Sequence, residues 1–350
     1  SHHDWMALSR VEHRERGLAR ALERAAVLPR VVVDEVLAHG ADASRGGGGH
    51  RLARDGRRKV SSLRADVMTA LVTGATDGIG LHTARRLAAS GRDVLVHGRD
   101  RERVRSAVEA VRKHARSEKQ VIEGLTRDLS SLEDVRALAR DVVDGRGDVS
   151  MLFNNAGVYS TKETRCANGH EMTFAVNVLA PFALCGLLLP TLAANARRTG
   201  TKSSVLNVAS ISAAPAIDFD NLRCEKMFSP HGSYAQSKAC MKAFSYELYD
   251  RLARGALSGA SVEDLNVFSC DPGTVNTKML LAGWGRCGIE TYEANDEFTI
   301  MVDDIERNGA KHNGAYFVNA APQPRRSEAG DVDQAKLWRL LEQETGVVYA

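Results

Sequence analysis

No Cys-x-x-Cys pair occurs in the chain; its six cysteines, at 166, 185, 224, 240, 270 and 287, are scattered. That spacing speaks against a zinc cluster and against a dithiol redox motif, so no metal is expected. Free thiols in an intracellular, reducing compartment are predicted, with cytosol and organelle (mitochondrion or plastid) both open. A large excess of charge is also missing. The formal net charge of +3 is too small to call for nucleic acid or an anionic membrane as partner. No stretch reaches the roughly 18 uninterrupted apolar residues of a membrane span. The nearest, PFALCGLLLPTLAANA at 181–196, is broken by Gly186 and Pro190 and reads as a buried helix. No internal repeat of solenoid period is present. What remains is the composition of a soluble globular protein, 43% hydrophobic and 26% charged. The length suits one α/β domain of about 250 residues with an extension.

Residues 1–66 form that extension. In MALSRVEHRERGLARALERAAVLPR, Leu8, Val11, Leu18, Leu22 and Ala25 recur mainly at three- and four-residue or heptad spacings. This predicts an amphipathic helix that stops near Pro29. VVVDEVLAHG would make a second short helix, and ASRGGGGHRLARDGRRK a flexible basic linker. The arginine content is that of an organellar transit peptide, but the many acids speak for a solvated or partner-bound appendage. The first residue is Ser1 instead of methionine, which implies that something upstream is missing, and SHH has the look of an expression-tag remnant.

From Val67 the rhythm changes. VMTALVTG is a β-branched apolar run ending in glycine, the mark of a buried parallel strand. GLHTARRLAASG follows as a helix closing on Gly91, then RDVLVHG as a strand and RERVRSAVEAVRKHA as a helix. QVIEGLTRD, SSLEDVRALARDVV and VSMLFNNAG continue the alternation. Later strands fall at SSVLNVAS, DLNVFSCDPG and GAYFVN, with a long helix at 234–253 between the first two. Such alternation builds an α/β fold: a doubly wound parallel sheet of Rossmann type, helices on both faces, spanning residues 67–350. AKLWRLLEQETGVVYA closes the chain as a helix whose Leu337, Trp338, Leu340 and Leu341 pack on the body.

TGATDGIG, residues 73–80, stands at the first strand-to-helix junction. Gly74, Gly78 and Gly80 allow a tight turn, close approach of a pyrophosphate to the backbone, and close helix-on-strand packing. The second strand should end at an adenine ribose, where an acid would bond a free 2′-hydroxyl. Here Gly98 occupies that place and Arg99 follows; a guanidinium pairs with a phosphate in forked geometry, favouring NADP(H), with NAD(H) the alternative. Asp100 is adjacent and mimics the ribose acid, so register decides. HGSYAQSKAC places Tyr234 and Lys238 four apart in what reads as the first turn of a helix. The pattern is loose by itself, but its chemistry is sound. A phenol titrating near 10 is a poor base at neutral pH, and an ammonium one helical turn away would stabilise the phenolate.

With these residues assembled, the chain resembles the classical short-chain dehydrogenase/reductase family from about residue 66 onward. The likeness rests on TGATDGIG, RDLS at 127–130, NNAG at 154–157, Asn177 in FAVNVLAPF, Ser210 in VLNVAS, YAQSK, and DPGTVNT at 271–277, in the family's order. NGHEMTFAVNVLAPFALCGLLLPTL and the long insertion between Ser210 and Tyr234 are similar to the retinol dehydrogenase-like group, which includes WW-domain oxidoreductases and protochlorophyllide reductase. The resemblance implies Tyr234 as general acid/base, Lys238 lowering its pKa and binding the nicotinamide ribose, Ser210 orienting the reacting oxygen, and Asn177 holding a relay water. It implies that Thr73, Thr76, Asp77 and Ile79 join the three glycines in holding the cofactor. Asp128 would meet the adenine amino group and Leu129 its ring; Asn155, Ala156 and Gly157 would line the cleft. Pro272, Gly273, Val275 and Thr277 would border the carboxamide and phosphates. Asp271 is a departure, since that group often carries histidine before the Pro-Gly pair. The group's N-terminal membrane anchor is not seen either.

The leading expectation is therefore an NADP-dependent alcohol dehydrogenase or carbonyl reductase with a small-molecule substrate. Ile217, Phe219, Leu222, Met227 and Phe228 in the 212–233 insertion suggest that the substrate is bulky and apolar, unless they pack on the fold itself. The alternative is a nucleotide-binding structural subunit docked into a larger assembly through residues 1–66. Pairing into a homo-oligomer is open in either case.

Overall fold

Side chains of a strand alternate between its two faces, and a sheet covered on both sides needs apolar residues at both parities. The central strands meet that requirement. β1 (Thr69–Val72), β2 (Asp93–Gly98), β4 (Val149–Asn154), β5 (Ser203–Val208) and β6 (Leu265–Cys270) are buried at every position. With β3 (Ile122–Thr126), β7 (Tyr316–Val318) and β8 (Ala321–Gln323) they form a sheet ordered β3-β2-β1-β4-β5-β6-β7-β8. All neighbours are parallel except β8, which runs antiparallel to β7. The structure is a computed structural model and describes residues 68–289, 311–323 and 331–349. The helices and linker expected within 1–66 lie outside the described residues.

The two parities feed two cores. Leu71, Leu95, Leu152, Val205 and Val267 face a layer made of α3 (Leu132–Gly145), α4 (Ala180–Thr199), α5 (Pro230–Ala253) and α7 (Asp331–Thr345). Val72, Val96, Phe153, Leu206 and Phe268 face α1 (Gly78–Ala89) and α2 (Arg101–Arg112). The apolar stretch 181–196 belongs to a helical run, Met172–Thr199, that could cross a membrane by length and composition, yet 83% of its most apolar window is buried inside the fold. The C-terminal helix docks as the sequence suggests. Leu337, Trp338 and Leu341 are buried, and Tyr349 donates its hydroxyl to Phe182 O at 2.7 Å.

Three local features differ from the sequence reading. The long helix starts at Pro230, because Ser229 caps it and proline at the first position costs no hydrogen bond, so Tyr234 stands in the second turn. Asn177 lies in a π-helical turn, Ala175–Leu179, at the entry to α4. Such a turn inserts one extra residue into the helical path and marks functional sites more often than ordinary helix. The three-residue β8 carries no pattern long enough to read. The strand order reverses between β1 and β4, and the carboxyl ends of the strands at such a reversal are where open α/β sheets bind ligands.

Candidate active site

Thr73 ties the two strands that flank the reversal. Its hydroxyl donates to Phe153 O at 3.0 Å and accepts from the backbone N–H groups of Asn155 and Ala156, each at 3.0 Å. Asn155 answers by donating its side-chain amide to Thr73 O at 2.9 Å. Gly74, at φ +63°, passes so close to Ala156 that a Cβ would stand 2.8 Å from its Cα. Asp77 caps α1, accepting from Gly78 N at 2.9 Å. Ile79 packs on the α1–α2 core, and Gly80 is buried inside the helix. Across the cleft Thr277 caps α6 (Lys278–Trp284), and its methyl group would lie 3.3 Å from a Cβ on Gly78. Val275 is buried beside it, while Pro272 and Gly273 form the turn after β6.

At the end of β2 the register places Gly98 in the strand and Asp100 in a different job. Asp100 caps α2, accepting from Arg103 N at 2.8 Å. A Cβ on Gly98 would stand 2.4 Å from Thr76 Cγ2 and 2.9 Å from Val104 Cγ2, so no acidic side chain fits there. Arg99 is exposed and has no hydrogen-bond or ion-pair partner among the described residues. His97, buried just before it, accepts from Gly74 N through Nδ1 at 3.3 Å and meets Arg127 O through Nε2 at 3.1 Å. Burial pushes this imidazole down to about 4, so it is neutral at pH 7. Sequence reasoning passed over His97, which follows the apolar run Val94, Leu95, Val96 in β2.

Asp128 accepts from Ser130 N at 2.9 Å, and Ser131, not Asp128, caps α3. Leu129 follows Asp128 in the chain. Its side chain is buried and belongs to the larger hydrophobic core.

Tyr234, Lys238, Ser210 and Asn177 converge. Ser210 lies in the loop just after β5, close enough to the Tyr234 phenol to work against the rise in its pKa. Lys238 Nζ lies 5.6 Å from the Tyr234 ring centre and donates to Val208 O at 2.8 Å. A Cβ on Gly157 would approach Asn177 Oδ1 at 3.4 Å and Lys238 Nζ at 3.7 Å, which places these groups around one point. Asn177 is occupied more fully than a water holder: Oδ1 accepts from Val158 N at 2.8 Å, and Nδ2 donates to Val158 O and to Ser237 Oγ, both at 3.0 Å. It clamps the loop after β4 to α5. The Tyr234 phenol is pushed up to about 12 by burial and then by the Asp271 carboxylate, with the Ser210 bond working in the opposite direction. Burial pushes Lys238 down to about 8, partly offset by Cys270 and Asp271. The expected depression of Tyr234 by Lys238 is not seen: burial and Asp271 raise the phenol, and the one group that lowers it is Ser210. Asp271 joins two loops, accepting from Ile211 N at 3.0 Å and Gly273 N at 3.1 Å.

Three rings that sequence reasoning missed surround the tyrosine. Tyr159 and Trp284 stand 5.8 and 5.6 Å from the Tyr234 ring, and Tyr159 and His231 each stand 4.9 Å from Trp284. The Tyr159 hydroxyl and His231 Nδ1 are 3.0 Å apart. No spacing announces them, because they come from the β4 loop, the start of α5 and the end of α6. The insertion contributes less than expected. Leu222 is buried and Ile217 and Phe219 pack against the main core, while Met227 is 70% exposed. Most of its apolar residues serve the body.

The residues fit a nicotinamide dinucleotide by their unused donors. Lys238 is buried with one acceptor among the described residues, leaving two N–H groups for ribose hydroxyls, and Arg99 is free for a phosphate. All six cysteines are free, and no group of three or more potential metal ligands occurs among the described residues.

Comparison with known proteins agrees with this geometry. A family model described as short chain dehydrogenase matches residues 68–282. Human polyprenol dehydrogenase is 33% identical over 215 residues, 60% of this chain and 61% of that protein. Mouse retinol dehydrogenase 13 is 35% identical over 213 residues, 60% and 59% of the two chains. The match thus spans less than two thirds of either relative. A solved structure of an uncharacterised protein from Mycobacterium Paratuberculosis superposes with a TM-score of 0.60 at 25% identity, covering 82% of this chain and 98% of its own. The chain belongs to the short-chain dehydrogenase/reductase family and resembles its retinol dehydrogenase-like members.

Proposed function

We propose that the protein is an NADP(H)-dependent oxidoreductase that interconverts an alcohol and a carbonyl compound on a bulky apolar small molecule. The observation that carries this reading is the convergence of Tyr234, Ser210 and Lys238 at one point of a cleft whose ribose end has Gly98 and Arg99 where an acid would select NAD(H). When bound, the cofactor supplies or accepts the hydride.

The chain's own residues do the rest. Tyr234 hands a proton to the substrate oxygen in reduction and takes it back in oxidation, and Ser210 holds that oxygen against the phenol. The two free N–H groups of Lys238 hold the ribose and place positive charge behind the phenol as negative charge develops on it. Asn177 keeps the Val158 loop and α5 in register. Tyr159, His231 and Trp284 wall the reacting end with aromatic surface that excludes water and packs on flat or branched carbon skeletons. The printed names of the relatives, polyprenol and retinol dehydrogenases, support an apolar alcohol of this kind.

The test is a titration of the purified chain with NADPH and NADH, read by nicotinamide fluorescence, followed by a screen of apolar carbonyls and alcohols. Tight NADPH binding, weaker NADH binding and turnover of an apolar substrate are expected. Binding of neither cofactor would remove the oxidoreductase reading.

A further inference from the structure

A carboxylate with no exposed surface stands against the residue that precedes Tyr234. Glu171 caps the helical run Met172–Thr199: Oε1 accepts from Thr173 N at 2.9 Å and from Thr173 Oγ1 at 3.0 Å, and Oε2 accepts from Phe174 N at 3.0 Å. The fourth donor comes from another element. Ser233 Oγ, on α5, donates to Oε2 at 2.8 Å. A buried carboxylate has to have its lone pairs met, and these four bonds meet them. One turn further along α5, Ser237 Oγ accepts from Asn177 Nδ2 at 3.0 Å and donates to Tyr234 O at 2.7 Å. Successive residues advance by about 100° around a helix, so Ser233 and Ser237 lie on one flank of Tyr234 and Ala235 on the other. The second flank is tied to the chain that follows Ser210. Ala235 O accepts from Ala214 N at 2.9 Å, while Gln236 accepts from Asp218 N at 2.9 Å and donates to Ala216 O at 3.2 Å.

We propose that Ser233, held by Glu171, is a positioning residue for the reaction: the pair fixes the rotation of α5 and with it the stance of the Tyr234 hydroxyl against Ser210. The inference rests on the oxidoreductase reading of Tyr234 above. Without the Ser233 bond, side-chain contact on this flank falls to Asn177 and Ser237, beyond the tyrosine, and the second flank pulls on the first turns of α5 unopposed. The lever is short, because Ser233 and Tyr234 are neighbours in the chain. Lys238 stands a full turn beyond Tyr234 and keeps its own bond to Val208 O at 2.8 Å. Cofactor binding therefore survives where proton transfer suffers. The carboxylate that raises the Tyr234 phenol is Asp271, so Glu171 acts through geometry and leaves the pH limbs in place.

The experiment measures NADPH affinity by nicotinamide fluorescence, melting temperature, and NADPH-dependent reduction of decanal and of retinaldehyde. The proteins are the full chain, Ser233→Ala, Ser233→Thr, Glu171→Gln, Tyr234→Phe and the Ser233→Ala/Tyr234→Phe double variant. Ser233→Ala should lower kcat about 10- to 100-fold, the effect of a small misplacement of a reacting group, with KM and NADPH affinity within about twofold of the parent. Ser233→Thr keeps the hydroxyl and should recover much of that kcat. Glu171→Gln sets an amide donor against donors and should lose kcat at least as far. In the Tyr234→Phe background no hydroxyl is left to place, so Ser233→Ala should change the residual rate by less than about twofold. An equal loss in both backgrounds, or loss of NADPH binding or of the melting transition in Ser233→Ala, would make the bond a part of the fold alone. Parent-like kcat in Ser233→Ala or Glu171→Gln would make it idle. The inference falls in each of these cases, with the oxidoreductase reading intact. If the unaltered protein reduces neither aldehyde, that reading fails and takes the inference with it.

Discussion

Ile211 donates its backbone N–H to the Asp271 carboxylate at 3.0 Å, immediately after the serine that faces Tyr234. The other carboxylate oxygen accepts from Gly273 N at 3.1 Å, so one side chain fixes the Ser210 loop and the Pro-Gly turn together. The same charge raises the Tyr234 pKa, second only to burial. Asp271→Asn keeps one acceptor and removes the charge. Tyr234 then titrates lower. Oxidation needs the phenolate, so the rising limb of kcat/KM against pH should move to lower pH; reduction needs the phenol, and its falling limb should move the same way. Loss of one of the two hydrogen bonds should cost about 1–3 kcal/mol of stability in urea unfolding. An unmoved pH limb would show that Asp271 acts on the loops alone.

Tyr234→Phe removes the proton donor and little else. The ring remains to pack against Tyr159 and Trp284 at 5.8 and 5.6 Å. Turnover should fall by about 10²–10⁴-fold, the usual contribution of a positioned acid/base, while NADPH affinity stays nearly unchanged. Residual activity close to that of the parent would take Tyr234 out of the mechanism.

Long-range order was legible because it is written in local repetition. β1 and β2 read as buried strands from VMTALVTG and RDVLVHG, and TGATDGIG marked the junction where the cleft opens. Tyr234 and Lys238 were legible by spacing, since both lie on one helix. Tyr159, His231 and Trp284 were not, for they meet only after three separate segments fold, and no periodicity records that meeting. The role of the insertion stayed open in the sequence for another reason. Leu222 and Phe219 have the same composition as a substrate wall, and apolarity alone does not say which apolar surface they will cover.

Cofactor choice at β2 should resist the obvious exchange. Arg99→Asp alters an exposed side chain without a partner among the described residues and should move preference from NADPH toward NADH with little change in melting temperature. Gly98→Asp puts the acid where a free ribose would need it, but its Cβ would lie 2.4 Å from Thr76 Cγ2. That overpacking should cost about 1–3 kcal/mol and bring poor cofactor binding of either kind. Thr76→Gly in the same chain should recover part of the stability. Differential scanning calorimetry beside the fluorescence titration checks both arms, and a fully stable Gly98→Asp protein would mean that β2 can shift to make room.

His97 makes the phosphate loop acid-sensitive. The ring accepts from Gly74 N through Nδ1, so protonation there would set a donor against a donor. Burial holds the folded pKa at about 4, below the 6.5 of the unfolded chain. The folded-state value is depressed, so the unfolded chain binds the extra proton first as pH falls. Stability from this group is whole above pH 6.5, drains between 6.5 and 4, and is about 2 kcal/mol lower at pH 5 than at pH 7. His97→Gln offers an acceptor and a donor without titrating in this range. Urea midpoints at pH 7 and pH 5 should therefore fall further for the parent than for the glutamine variant. Equal falls in the two proteins would place the acid lability elsewhere in the chain.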